Sequence, residues 1–88
     1  MDSLIINENK LKELIDKQLI KYDEPLQKLT ILYKTRLLYI DNFINLKILD
    51  CNNNVSEVVK INNLLNLKKI IGQNGLKKIY INDLEIDF

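Results

Sequence analysis

The sequence contains no histidine, which removes the most common general base and the most common metal ligand in proteins. Cys51 is the single cysteine, so the chain can form neither an intrachain disulfide nor a cysteine–histidine pair, and it lacks the ligands of a zinc site. The apolar neighbours of Cys51, among them Leu49 and Val55, favour a buried and unreactive thiol. We therefore expect a protein that is not an enzyme and that uses no cofactor and no metal ion.

The chain also has almost no excess charge of either sign. Its 13 basic and 12 acidic side chains leave a formal net charge of +1, and Arg36 is the single arginine. Proteins that bind nucleic acids or membrane surfaces usually carry a basic patch, and bidentate contacts to phosphate favour arginine. We therefore expect neither a nucleic acid nor a membrane as a partner.

Long hydrophobic segments are missing as well. No apolar run reaches the roughly 18 residues that a transmembrane helix needs, and residues 1–6 lack the basic flank and apolar core of a signal peptide. The predicted location is the cytoplasm, either of the producing cell or of an infected host. Leucine, isoleucine, asparagine and lysine dominate the chain, a composition typical of viral or other AT-rich genomes, so abundant asparagine does not by itself indicate function.

The length of 88 residues and the apolar content of 47% predict one globular domain. Within it, residues 10–20 predict an amphipathic helix, which Asn7 or Asn9 is expected to cap. Pro25, the single proline, predicts a boundary at residues 22–25. The apolar residues of the predicted helix recur at the spacing of one helical face: Leu11, Leu14, Ile15 and Leu19.

The most informative pattern is an internal echo. Residues 42–49 read NFINLKIL, and residues 63–70, which follow 21 positions later, read NLLNLKKI. Self-similarity at a fixed period is typical of repeat proteins. Around this echo, apolar residues recur at every third position, a spacing that disfavours one continuous helical face. Because the offset of the echo also equals three heptads, a helical bundle stays an alternative. Farther on, residues 72–75 contain both glycines and predict a turn, and residues 79–81 predict a strand.

Residues 46–54, LKILDCNNN, fit the pattern L-x-x-L-x-L-x-x-N, and residues 26–34 and 67–75 keep its spacing with substitutions. The region 26–84 therefore resembles a short leucine-rich-repeat protein. The resemblance implies an α/β fold, a small solenoid in which each repeat contributes one strand and Asn54 stabilises the coils. Residues 1–25 would form an N-terminal capping helix, and residues 85–88 a C-terminal tail. The alternative is a small, mostly α-helical bundle with a C-terminal strand or hairpin.

The resemblance implies a non-enzymatic module that binds another protein on a concave or flat strand surface. Ile48 and Ile71 would then be exposed, whereas in the helical alternative they are core residues. A small phage, viral or mobile-element inhibitor or adaptor, and a subunit of a homo-oligomer, are the alternative functions. The predicted partner-binding residues are Lys28, Thr30, Ile48, Asp50, Asn52, Lys69, Ile71, Gln73 and Tyr80.

Overall fold

The computed structural model of the chain describes residues 3–51, 57–72 and 78–86. Within these residues the chain forms nine strands and one α-helix, α1 (Leu11–Asp16), which a 3₁₀ turn precedes. One sheet has five strands, in the spatial order β1 (Ser3–Ile6), β4 (Leu37–Asp41), β6 (Val58–Asn62), β8 (Lys78–Ile81) and β9 (Leu84–Ile86). The other sheet has four, in the order β2 (Ile20–Asp23), β3 (Lys28–Ile31), β5 (Ile48–Asp50) and β7 (Lys69–Ile71).

From β3 to β8 the chain alternates between the two sheets, so that neighbouring strands within a sheet are parallel. Leu38 in β4 pairs with Val59 in β6, and Leu49 in β5 pairs with Ile70 in β7, so each sheet contains one strand pair at the offset of the echo. Antiparallel hairpins join β2 to β3 and β8 to β9. The echo in the sequence therefore corresponds to two successive passages of the chain through the same two sheets.

The hydrophobic core lies between the inner faces of the sheets. Alternate residues of β4 and β6 are buried, as the two-residue period of a strand requires. Phe43 and Leu46, in the connection from β4 to β5, are also buried. From Ile40 to Leu49, inward strand residues and corner residues together produce the apolar spacing of three in the sequence. Each fully buried leucine or isoleucine stabilises the fold by about 1.5–3 kcal/mol.

The predicted helix over residues 10–20 is wrong in its length, because α1 ends at Asp16. Gln18 adopts a left-handed φ of 60°, and the Leu19 N–H donates to the Leu14 carbonyl at 3.0 Å. This bond and the one from Gln18 N–H to the Ile15 carbonyl form a Schellman motif, which ends the helix and sends the chain into β2. Of the two predicted caps, Asn7 accepts the Lys10 N–H at 3.0 Å at the start of the preceding 3₁₀ turn.

The predicted fold class, an α/β leucine-rich-repeat solenoid, is contradicted, and so is the helical bundle. The described residues are mostly β-strand, in two mixed sheets with one short helix. Each repeat contributes two strands, one to each sheet, where the resemblance implied one. Val58, Val59 and Ile61 explain the difference, since β-branched side chains have restricted χ1 angles and favour strands over helices.

Asparagines form the corner that follows β4 and β6. Asn42 and Asn63, which share a position in the echo, both have left-handed φ angles, of 64° and 58°. The Asn63 Nδ2 donates to Asn42 Oδ1 at 3.2 Å and to Asp41 Oδ1 at 3.3 Å, and the Asn63 N–H donates to Asn82 Oδ1 at 3.3 Å. An asparagine ladder thus links neighbouring repeats here. The asparagine that the resemblance implied for this role, Asn54, lies outside the described residues.

Two local predictions are confirmed. The boundary at residues 22–25 is the end of β2, and Pro25 lies in the turn from Glu24 to Gln27 that leads into β3. The strand at residues 79–81 is β8. The turn predicted at residues 72–75 falls outside the described residues, apart from Gly72.

Candidate protein-binding surface

Most of the predicted binding residues lie together on the outer face of the four-stranded sheet. Lys28, Ile48 and Lys69 form one row across β3, β5 and β7, and Thr30, Asp50 and Ile71 form the next. Two others, Asn52 and Gln73, lie outside the described residues, and Tyr80 belongs to the other sheet. The structure therefore brings six of the nine predicted residues onto one face.

This outer face is mainly polar. The Lys28 Nζ lies 3.4 Å from the Asp50 Oδ2, and such surface ion pairs contribute little to stability, about 0–1 kcal/mol. Ile48 lies between Lys28 and Lys69, and Ile71 lies beside Asp50. Both isoleucines are half-buried strand residues, so the alternative that placed them in the core of helices is wrong. Two isolated apolar side chains form a small contact area for a partner protein.

The outer face of the five-stranded sheet has a different composition. In register, Ile5 pairs with Tyr39, Tyr39 with Lys60, Lys60 with Tyr80, and Tyr80 with Glu85. A parallel row places Leu37 beside Val58. We use the name aromatic face for the apolar and aromatic part of this surface, which consists of Ile5, Leu37, Tyr39, Val58, Lys60 and Tyr80.

Lys60 lies between the two tyrosines. Its Nζ is 5.4 Å from the centre of the Tyr39 ring and 5.6 Å from the centre of the Tyr80 ring. Both distances are within the range of cation–π contacts, which contribute about 0.5–1 kcal/mol each at exposed sites. The ammonium group is thus held by two rings, and its aliphatic stem adds to the apolar surface.

The aromatic face has the composition of the centre of a protein–protein interface, where tyrosine is enriched and most charged residues are depleted. Ile5 is 52% exposed, although it is a large apolar side chain. A depression of about 360 Å³ adjoins the face, and its lining includes Leu37 and Val58 together with Arg36 and Glu57. The polar rim contains Ser3, Lys78 and Glu85, which are exposed.

Along the sequence, the tyrosines of this face do not alternate with basic residues. They alternate across the strands, since Tyr39, Lys60 and Tyr80 occupy paired positions of three successive parallel strands. The period of the echo, extended to all positions, could have linked Tyr39 to Lys60, but Tyr80 follows Lys60 one position short of that period. Tyr80 is the only member of the aromatic face among the predicted binding residues.

Chemical groups suited to catalysis are scarce among the described residues. Burial raises the pKa of the Cys51 thiol from its ordinary 9.0 to about 12, with the Asp50 charge adding to the effect, so the thiol stays protonated and buried. Within residues 3–51, 57–72 and 78–86, no cluster of three or more cysteine, aspartate or glutamate side chains could hold a metal ion. None of the described helices has the length and apolar character needed to cross a membrane.

Comparisons of the chain with models of protein families, with curated proteins and with solved structures gave no match. The resemblance to leucine-rich repeats therefore stays a prediction. Function is accordingly inferred from the two sheet surfaces alone.

Proposed function

We propose that this chain is a non-enzymatic module that binds another protein through its aromatic face. The observation that carries the proposal is the Tyr39–Lys60–Tyr80 row, with Ile5, Leu37 and Val58 beside it on one sheet surface. A sheet surface with apolar and aromatic side chains at its centre and polar groups around it is suited to contact with a folded protein. An inhibitor or adaptor that covers part of a larger protein is a specific form of this function.

The charge distribution favours a protein over a nucleic acid as the partner. Lys60 is the single cation at the centre of the aromatic face, and both rings that could stack on a base already contact it. The formal net charge of +1 gives little attraction to a polyanion.

A matched pair of substitutions tests which sheet surface binds. Val58→Glu places a carboxylate on the aromatic face, beside Lys78 in the next strand. Ile48→Glu places the same group on the outer face of the four-stranded sheet, between Lys28 and Lys69. Both positions are half-buried, outward-facing and next to lysine, so both variants are expected to fold.

The assay is quantitative affinity capture from an extract of the producing cell, with circular dichroism to show that each variant is folded. We expect Val58→Glu to lower the amount of captured partner at least about tenfold, because it replaces an apolar contact of the aromatic face by a carboxylate that the partner would have to desolvate. Ile48→Glu is expected to leave capture unchanged. If Ile48→Glu abolishes capture and Val58→Glu does not, the partner binds the four-stranded sheet and the proposal is wrong.

A further inference from the structure

One end of the hydrophobic core, where β7 and β9 are the last strands of their sheets, has little cover from the residues that the structure describes. In the preceding repeat Phe43, Leu46 and Leu49 are fully buried. Their counterparts in the next repeat are only half-buried, and three further apolar side chains nearby are 78%, 67% and 37% exposed. We call this surface the β7–β9 end, and it consists of Leu64, Leu65, Leu67, Ile70, Leu84 and Ile86.

The opposite end of the core is closed. There α1 connects the edge strands β1 and β2, and its Leu14 is buried in the core with Leu4 of β1. Head-to-tail stacking would place the apolar β7–β9 end against α1, whose exposed residues are mostly charged. An arrangement that covers the β7–β9 end with apolar surface of this chain therefore brings two such ends together.

The charges at the β7–β9 end have opposite signs on its two sides. Lys68 and Lys69 are exposed at the edge of the four-stranded sheet, and Asp83 and Glu85 are exposed at the edge of the five-stranded sheet. No described strand pairs with the outer edge of β7 or of β9. The end thus combines unpaired strand edges, an apolar centre, and basic and acidic sides.

We propose that a second copy of the chain covers this end in a two-fold symmetric dimer, with β7 of each copy beside β9 of the other. Lys69 and Glu85 both lie on outer faces, so they become cross-strand neighbours, and the symmetry forms this pair twice. On the inner side, Ile70 of one copy meets Leu84 and Ile86 of the other. A pairing of β9 with β9 would instead place Glu85 of one copy beside Glu85 of the other, so that two like charges would meet. The aromatic face stays exposed, so this inference stands apart from the proposed function.

Analytical ultracentrifugation of the full chain tests the dimer. At low ionic strength, with concentrations from about 1 µM to about 300 µM, we expect the mass to rise from 10.4 kDa towards twice that value. Lys69→Glu and Glu85→Lys, each alone, replace attraction by repulsion at both contacts and are expected to raise the dimer Kd about tenfold or more. The double variant restores the opposite charges and is expected to return the Kd to near the wild-type value.

Lys12→Glu in α1 is the matched control, because it makes the same charge change on an exposed residue of the closed end. It is expected to leave the Kd unchanged. A chain that stays monomeric over the whole range overturns the proposal. A dimer that is insensitive to the single exchanges, or that the double variant does not restore, overturns it as well, because that dimer uses another surface.

Discussion

The substitution Gly72→Ala probes the close packing between successive repeats. Gly72 follows β7 and lies beside Cys51, which follows β5, so the two residues are equivalent positions of the repeat. Its φ is +143°, and a Cβ built there would lie 2.8 Å from the carbonyl carbon and from the Cβ of Cys51. The Cys51 N–H also donates to the Ile71 carbonyl, which limits any outward movement of this backbone.

Two effects of Gly72→Ala lower the free energy of unfolding, and one effect partly compensates for them. A side chain at this φ costs about 1–3 kcal/mol, and crowding against fixed backbone costs about 1–3 kcal/mol. The lower entropy of the unfolded alanine chain offsets about 0.4–1 kcal/mol. We therefore expect Gly72→Ala to lower the free energy of unfolding by about 3 kcal/mol. For a domain of this size, that corresponds to a fall in Tm of about 12–24 °C.

Urea unfolding and thermal unfolding, both followed by circular dichroism, measure this loss. Lys68→Ala, in an exposed position four residues earlier, is the control and is expected to change the free energy of unfolding by less than about 0.5 kcal/mol. If Gly72→Ala changes the free energy of unfolding as little as this control does, Gly72 does not pack closely against Cys51.

Two further predictions concern the corner and the buried thiol. Asn63→Ala is expected to lower the free energy of unfolding by about 1–2 kcal/mol, because it loses the hydrogen bonds to Asp41 and Asn42 and places alanine at a left-handed φ. Asn63→Gly loses the same bonds but avoids the backbone strain, so it is expected to cost about half as much. Urea titrations of both variants check this, and a glycine variant less stable than the alanine variant contradicts it. For Cys51, the folded pKa of about 12 lies above the ordinary 9.0, so unfolding releases a proton as the pH rises between these values. In this pH range the free energy of unfolding is expected to fall by up to about 1.4 kcal/mol per pH unit. The fall should be shallower in Cys51→Ala. Equal slopes in the two proteins would contradict the raised pKa of Cys51.

The sequence predicts those features of the fold that depend on local geometry or on the repeat period. Pro25 predicts the β2–β3 turn because its ring fixes φ. The echo predicts two related segments, and these contain β5 and β7, which pair at the offset of the echo. The end of α1 was not predictable, because no glycine marks it. Gln18 takes the left-handed position after the helix that glycine usually occupies. The fold class was missed because corner residues such as Phe43 interrupt the two-residue strand period and hide the second strand of each repeat.

The candidate site depends on contacts that the linear sequence does not show. Six of the nine predicted residues share one sheet surface, because outward positions recur with the repeat. The row of Tyr39, Lys60 and Tyr80 was missed because its members come from three strands, and each looks like an isolated surface residue in its own segment.

Site-specific photocrosslinking shows whether the aromatic face contacts a partner protein. Benzoylphenylalanine is incorporated in place of Tyr39 in one protein and in place of Ile48 in another, and each is irradiated in an extract of the producing cell. Tyr39 and Ile48 lie on the outer faces of the two different sheets. We predict a covalent adduct with a partner protein from position 39 and none from position 48. Adducts from position 48 alone, or from neither position, would show that the aromatic face is not the binding surface.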